Sequence, residues 1–353
     1  MLSRAHGRAA GQNKGRPELA DIFSQYGQSY AKTHRLSAAQ QKVMRAVETC
    51  RTAALGGHLK QCDRCGFEHP SYNSCRNRHC PKCQSLAKAK WLNKQTCELL
   101  LVGYFHLVFA LPHEFNRLIL AHKKILLAFL FKAVSETLLE FGQRRFGATM
   151  GIIAVLHTWD QTLKDHFHLH CLVPAGALSL DQSRWIGARP NFLFSVTALS
   201  QVFRGKFLAL LQQACEKGKI PAATNETKAA RKKNWVVYAK KSFGSPQTVL
   251  EYLGRYTHRV ALSNDRILSV QNGQVTLSYR DRKEGGKKKT VSLEAHEFIR
   301  RFMLHVLPDG FMRIRHFGFL ANRAKKHALA QCRKLLKLDA ALPEIPKNQP
   351  TIS

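Results

Sequence analysis

Between Gly56 and Gln84 the chain turns away from aliphatic residues towards Gly, Cys, His, Asn and Pro. A stretch of that composition has too little apolar side chain to bury, so it holds a shape only if something other than a hydrophobic core ties it together. Five of the chain's ten cysteines fall in the twenty-two residues from Cys62 to Cys83: Cys62, Cys65, Cys75, Cys80 and Cys83. Cys62-x-x-Cys65 and Cys80-x-x-Cys83 are two knuckle-like pairs with fourteen residues between them, the ligand number and spacing of a tetrahedral four-cysteine zinc site. Gly66 after the first pair and Pro81 inside the second help the backbone turn so that both thiolates of a pair face one ion. His58, His69, Cys75 and His79 lie near enough in sequence to replace one ligand or to begin a second site. With every coordination position filled by protein, this zinc is expected to be structural. The module's work is then to present Arg64, Arg76, Arg78 and Lys82 to a partner.

The charge identifies the kind of partner. Lysine and arginine number 56 against 23 acidic residues, a formal net charge of +33, and the excess runs along the whole chain. A positive field of that extent calls for a polyanion, and its spread fits nucleic acid better than a membrane anchor. No stretch reaches the roughly 18 uninterrupted apolar residues of a membrane span. The nearest, Leu99 to Pro112, is short, contains His106 and reads as a buried strand. Met1 to Arg8 is basic but lacks the apolar centre of a signal peptide, which implies a cytoplasmic, nucleoid-associated protein with reduced cysteines.

At 353 residues and 44% hydrophobic content the chain can build one sizeable catalytic domain beside the small module. Residues 1–15 read as a flexible basic arm, 16–98 as a helical and zinc-binding DNA-binding domain, 99–319 as the catalytic domain, and 320–353 as a basic C-terminal helix and tail. Ile22 to Leu55 is helical in pattern, Tyr104 to Phe109 is a strand, and Glu114 to Phe141 is one long helix or two shorter ones. Gly151 to Trp159 and Phe167 to Pro174 suggest adjacent antiparallel strands. Val196 to Lys217 reads as a helix and Ala222 to Asn234 as a polar linker. Trp235 to Ala239 reads as a strand, and a helix begins at Pro246-Gln247-Thr248 and runs through Tyr256. Two further strands bracket an exposed basic hairpin loop that carries Lys287, Lys288 and Lys289, suited to phosphate contact. The fold class is α+β, an antiparallel sheet flanked by helices and preceded by a small metal module.

His168-Leu169-His170 places two imidazoles on one face of a strand while Leu169 points to the other, packed face. Such a pair can hold one divalent ion. Imidazole suits manganese better than magnesium, and the ion needs a third ligand and open positions for phosphate oxygens. Gln161, Asp165, Asp160 or His157 could supply that ligand, with Gln161 preferred because the neighbouring strand end can bring it over the pair. Tyr252 and Tyr256 stand four apart, on one face of a helix, beside Arg255, His258 and Arg259. A phenol is a poor nucleophile at its ordinary pKa near 10. A divalent cation polarising a scissile phosphate makes in-line attack feasible and yields a phosphotyrosine that a second DNA end can resolve without ATP.

These residues resemble the rolling-circle transposases of the IS91 type, members of the HUH (His-hydrophobic-His) endonuclease superfamily. The likeness runs through Ser74 to Cys83, Tyr104 to Pro112, His166 to Gly176, Tyr252 to Arg259, and His305 to Gly318. It implies that His168 and His170 bind Mg2+ or Mn2+, that Tyr252 and Tyr256 are the nucleophiles, and that the substrate is single-stranded DNA at transposon ends. The cut would leave a 5′-phosphotyrosine and a free 3′ hydroxyl. One departure is His166-Phe167-His168 where His-Pro-His is expected. A plasmid replication initiator or relaxase shares this chemistry, although the N-terminal zinc module and the lack of a helicase P-loop fit a transposase better. A non-catalytic zinc-dependent DNA-binding protein would need neither His168 nor Tyr256.

Overall fold

A computed structural model describes residues 16–189, 191–241, 248–249, 254, 261–281 and 284–338. Residues 1–15 and 339–353, and with them the basic arm and the end of the tail, lie outside the described residues, as do Tyr252, Arg255, Tyr256 and Arg259.

The N-terminal helical pattern resolves into α1 (Leu19–Thr33) and α2 (Ala38–Thr49). Ser37 caps α2 reciprocally with Gln40, satisfying amide groups that the first turn cannot pair internally. An antiparallel hairpin follows, β1 (Gly57–Gln61) with β2 (Glu68–Tyr72), then α3 (Pro81–Thr96), which starts with Pro81 in its first turn. The hairpin is largely exposed, Leu59 and Phe67 included, as its composition requires.

Among the described residues the main sheet is seven-stranded. Its strands are β3 (Tyr104–Ala110), β4 (Ala148–Trp159), β5 (Asp165–Pro174), β6 (Gly176–Ser179), β7 (Trp185–Gly187), β8 (Val237–Lys241) and β12 (Ile314–Gly318). The order is β7-β6-β4-β5-β3-β8, with β12 also paired to β4, and every ladder is antiparallel. The segment after β3 forms two helices, α4 (Asn116–Ala121) and α5 (Lys123–Phe146), and α5 stops at Gly147, whose φ of 59° suits glycine. α6 (Val196–Glu216) begins at its cap Ser195. The stretch expected as a polar linker contains a short helix, α7 (Thr224–Arg231). Its Ala230 and the N-cap residue Ala223 are buried in the main core, and Trp235 Nε1 donates to the Ala230 carbonyl, so a largely polar helix is held at both ends.

Strand alternation divides the sheet into two unlike faces. Ala154, Leu156, Leu169, Cys171, Leu107 and Phe109 point to one face and are buried with Leu130, Phe131 and Val134 of α5 and Phe203 and Phe207 of α6. Phe109 and Phe203 meet edge to face at 5.3 Å. The opposite face carries Val155, His157, His168, His170, His106 and Tyr238, because each pairs across its ladder with another member of that set or with Val108 or Leu172.

Two smaller cores flank this histidine face. In one, α1 and α2 pack on a three-stranded sheet, β9 (Ile267–Gln271), β10 (Gln274–Asp281) and β11 (Lys287–Glu294), and on α8 (Ala295–Leu304). Phe23 of α1 meets Phe302 of α8 at 5.5 Å, so residues from both ends of the chain share one core. In the other, Leu99, Leu100 and Tyr104 join Ile153, Leu172, Val249 and the buried side of α9 (Lys325–Leu335), which lies within the basic helix and tail expected over 320–353. Among the described residues no helix is long and apolar enough to cross a membrane.

Candidate metal centre and zinc cluster

β4 and β5 run antiparallel in a register that sets His157 directly opposite His168 and Val155 opposite His170. A register shift between His157 and Trp159 marks a bulge at the end of that ladder, a device that re-aims side chains beside functional sites. Trp159 stacks on His157, with ring centres 4.9 Å apart and planes within 17°. His157, His168 and His170 are all buried, and their ligand nitrogens lie within 4.8 Å of one another. The Nε2 atoms of His168 and His170 stand 3.2 Å apart. Two nitrogens at right angles around an ion with bonds of about 2.1 Å would be separated by about 3.0 Å, so the pair fits a divalent cation.

Hydrogen bonds fix both rings from behind. His168 Nδ1 lies 2.8 Å from the His166 carbonyl oxygen. A carbonyl can only accept, so this nitrogen carries the proton and Nε2 is left bare. His170 Nδ1 lies 2.9 Å from Nε2 of His106 on β3. Asp160 and Asp165 are not part of the histidine group. Asp160 instead accepts from the Thr162 and Lys164 amides and closes the β4–β5 turn. Burial raises the Asp165 carboxyl pKa against the lowering effect of nearby Lys123. Gln161 sits in the same turn, where its backbone carbonyl accepts from Arg266.

The cysteines assemble differently from the expected set. Cys50, Cys75, Cys80 and Cys83 bring their sulfurs within 4.8 Å of one another. The sulfur of Cys83 is 3.6 Å from that of Cys50 and 3.5 Å from that of Cys75. Four sulfurs at about 2.3 Å from a tetrahedral zinc stand about 3.8 Å apart, close to this spacing. Cys80 is the N-cap of α3. A hydrogen bond from Cys75, with the Cys83 and Lys82 amides also helping, holds the Cys80 thiol pKa below its ordinary value despite burial, while donation to Cys80 and burial push that of Cys75 up. Cys62 and Cys65 are exposed at the tip of the β1–β2 hairpin, and His58 is exposed on β1. Of the two expected pairs, Cys80 and Cys83 therefore keep their place and Cys62 and Cys65 stand apart, while Cys75 joins the cluster and Cys50 enters from the end of α2. His79 is buried beside the cluster, and burial, with Arg78 and Arg313 adding repulsion, lowers its pKa to about 3, so it is a neutral imidazole.

Residues 151–328, which hold all three histidines, match a family described as "Putative transposase", and residues 22–111, which hold all four clustered cysteines, match the family "Transposase zinc-binding domain". A protein of Sinorhizobium fredii named "Putative transposase y4qJ" is 47% identical over 342 residues, covering 93% of this chain and 86% of that protein. The chain belongs to the IS91 family of transposases. The transposase for insertion sequence element IS801 of Pseudomonas savastanoi pv. phaseolicola is 28% identical over 303 residues, covering 82% of this transposase and 72% of that one. No solved structure matches it.

Among the described residues the transposase's expected DNA-contacting cations fall into three groups, and Arg255 and Arg259 lie outside those residues. Arg76, Lys287 and Lys288 are exposed, the two lysines on strand β11 and not in the loop before it. Lys82 pairs with Glu18 at 2.6 Å, and Lys289 pairs with Asp281 at 3.0 Å and with Glu284. Arg78 turns inward and donates to the carbonyls of Phe311, Leu307 and Pro308 at 2.5, 3.3 and 2.7 Å. That contact joins the segment just before α3 to the turn between α8 and β12.

Sequence reasoning passed over Cys50 and gave His106 no role. Cys50 stands twelve residues before Cys62, at the end of a helix with none of the glycine-rich composition that marked the module. His106 could have been found by laying the Tyr104–Phe109 strand beside the His-x-His strand, which brings it to the same face.

Proposed function

We propose that this transposase nicks and rejoins single-stranded DNA at the ends of its element through a 5′-phosphotyrosine intermediate, driving rolling-circle transposition. The observation that supports this best is the placing of three buried histidines, with convergent nitrogens, on the one sheet face not covered by α5 and α6. His157, His168 and His170 would hold the catalytic Mg2+ or Mn2+, with His157 taking the place expected of Gln161. A cation held there would polarise a phosphate and stabilise the charge developing on the leaving oxygen.

Tyr252 and Tyr256 supply the nucleophiles on this reading. Two described residues around them bear on it. Val249 belongs to the apolar cluster that also holds Ile153 and Leu172, the latter two positions along β5 from His170. Gly254 approaches α3 so closely that a Cβ would come within 2.9 Å of Leu92 and Lys88. Val249 and Gly254 therefore lie against elements that border the histidine face. Attack of a tyrosine oxygen on phosphorus forms one P–O bond and breaks the bond to the 3′ oxygen, which leaves as the free hydroxyl. The linkage keeps the bond energy for rejoining. The structural zinc would be held by Cys50, Cys75, Cys80 and Cys83, and Arg76, Arg255, Arg259, Lys287 and Lys288 would contact backbone phosphates.

Labelled single-stranded oligonucleotides tiled across the element's ends, incubated with protein and manganese, test this reading. It predicts a detergent-stable protein–DNA adduct that requires the metal and is lost in His170→Ala. Tight binding with no adduct on any oligonucleotide would reduce the protein to a DNA-binding role.

A further inference from the structure

We propose that His106 is a positioning residue for the metal centre, which holds His170 in the one tautomer that can bind a cation. This rests on the metal-centre reading above and adds a member to it. His168 has its Nδ1 proton fixed by the His166 carbonyl, so its Nε2 offers a lone pair. His170 Nε2 faces that lone pair at 3.2 Å, and its other nitrogen faces His106 Nε2 at 2.9 Å.

Two neutral arrangements satisfy the His106–His170 contact, and only the first also makes the contact between His168 and His170 a hydrogen bond. In the first, His170 carries its proton on Nε2, donates it to His168, and accepts at Nδ1 from His106. In the second, His170 carries its proton on Nδ1 and donates it to a bare Nε2 of His106. Its own Nε2 is then bare, and two lone pairs converge where a cation can sit. A metal selects the second arrangement, and His106 makes it possible by accepting the Nδ1 proton. Ligating histidines are commonly oriented this way through their far nitrogen.

The geometry of β3 suits this role. His106 and Val108 sit side by side on the histidine face, and Val108 is the cross-strand partner of His170. The His106 and His170 rings lie 5.2 Å apart with planes within 12°. That near-coplanar alignment aims nitrogen at nitrogen along the shared hydrogen bond. His106 does not belong to the group whose nitrogens converge, so it acts through His170 and not on the ion.

The test measures manganese affinity, in zinc-loaded protein without DNA, from the loss of the free-ion paramagnetic resonance signal. Wild type is compared with His106→Phe, which keeps a flat ring but cannot accept, with His106→Gln, whose carbonyl can accept, and with His170→Ala. Circular dichroism and zinc content check that each variant is folded. The proposal predicts that His106→Phe weakens manganese binding by about ten- to a hundredfold, that His106→Gln recovers most of the loss, and that His170→Ala abolishes binding. If His170→Ala weakens binding while His106→Phe matches wild type, the role of His106 is overturned and the metal centre stands. Equal losses in the Phe and Gln variants also overturn it, since packing and not acceptance would then matter. If His170→Ala binds as wild type does, the metal-centre reading falls and takes this inference with it.

Discussion

Replacing Arg78 separates two roles that a cationic side chain can have in such a protein. Its guanidinium is half-buried and donates to three carbonyls, those of Phe311, Leu307 and Pro308. Lys123 reaches the same chain segment at the carbonyls of Leu304 and Val306, so two cations hold the turn between α8 and β12. A hydrogen bond to a charged donor contributes about 1.5–3 kcal/mol. Three bonds from one group are not additive, and the turn can take up some water when the side chain is lost. A cost of about 3–5 kcal/mol for Arg78→Ala follows, a large share of the ~5–15 kcal/mol that holds most domains folded. Urea unfolding followed by tryptophan fluorescence reports it, because Trp159 lies beside the same junction, with its ring 5.9 Å from that of His305. Arg78→Lys, with a single nitrogen, should recover only part of the loss. An Arg78→Ala protein within about 0.5 kcal/mol of wild type, but with weakened DNA binding, would refute the structural assignment and restore Arg78 as a DNA contact.

Other outcomes follow from the same geometry. Cys50→Ser and Cys75→Ser should each release the zinc held by the four-cysteine cluster, measured by metal analysis, whereas retention of that zinc in both variants would contradict the cluster. His157→Ala should weaken manganese binding far more than Gln161→Ala, and the reverse order would return the third ligand to the β4–β5 turn. His305 is buried, donating to the Leu163 carbonyl and accepting from Thr158, and burial depresses its pKa to about 4. An unfolded histidine takes up its proton near 6.5, so the stability from this group is present above that pH. It is lost as pH falls towards 4, by up to about 3 kcal/mol. Urea midpoints across that window should fall less steeply in His305→Asn than in wild type, and identical slopes would exclude His305 as a source.

Much of this architecture can be read in the sequence because its signals are local. Alternation around His168 and His170 identifies the strand, its face and the packed role of Leu169, and the two apolar runs at 151–159 and 167–174 give the central hairpin. The cysteine-rich composition marks the zinc module without any tertiary information. The exact ligand sets are another matter, because they depend on register and on long-range docking. Cys50 joins Cys75, Cys80 and Cys83 only because α2 ends against the start of α3, and no spacing rule foretells that. His157 faces His168 only once the length of the β4–β5 turn and the bulge before Trp159 are known. Arg78 looks like any cation in a basic segment until the carbonyls of 307–311 are brought to it from the far end of the chain.

On the proposed mechanism DNA becomes covalently attached to Tyr252 or Tyr256. After reaction with an end-derived oligonucleotide and manganese, the protein can be digested with nuclease and protease and the modified peptide sequenced by mass spectrometry. The prediction is a 5′-linked nucleotide on Tyr252 or Tyr256, absent when the metal is chelated and moved or lost when the modified tyrosine is changed to Phe. A nucleotide on another residue such as Tyr238, or cleavage that leaves no linked peptide, would contradict it.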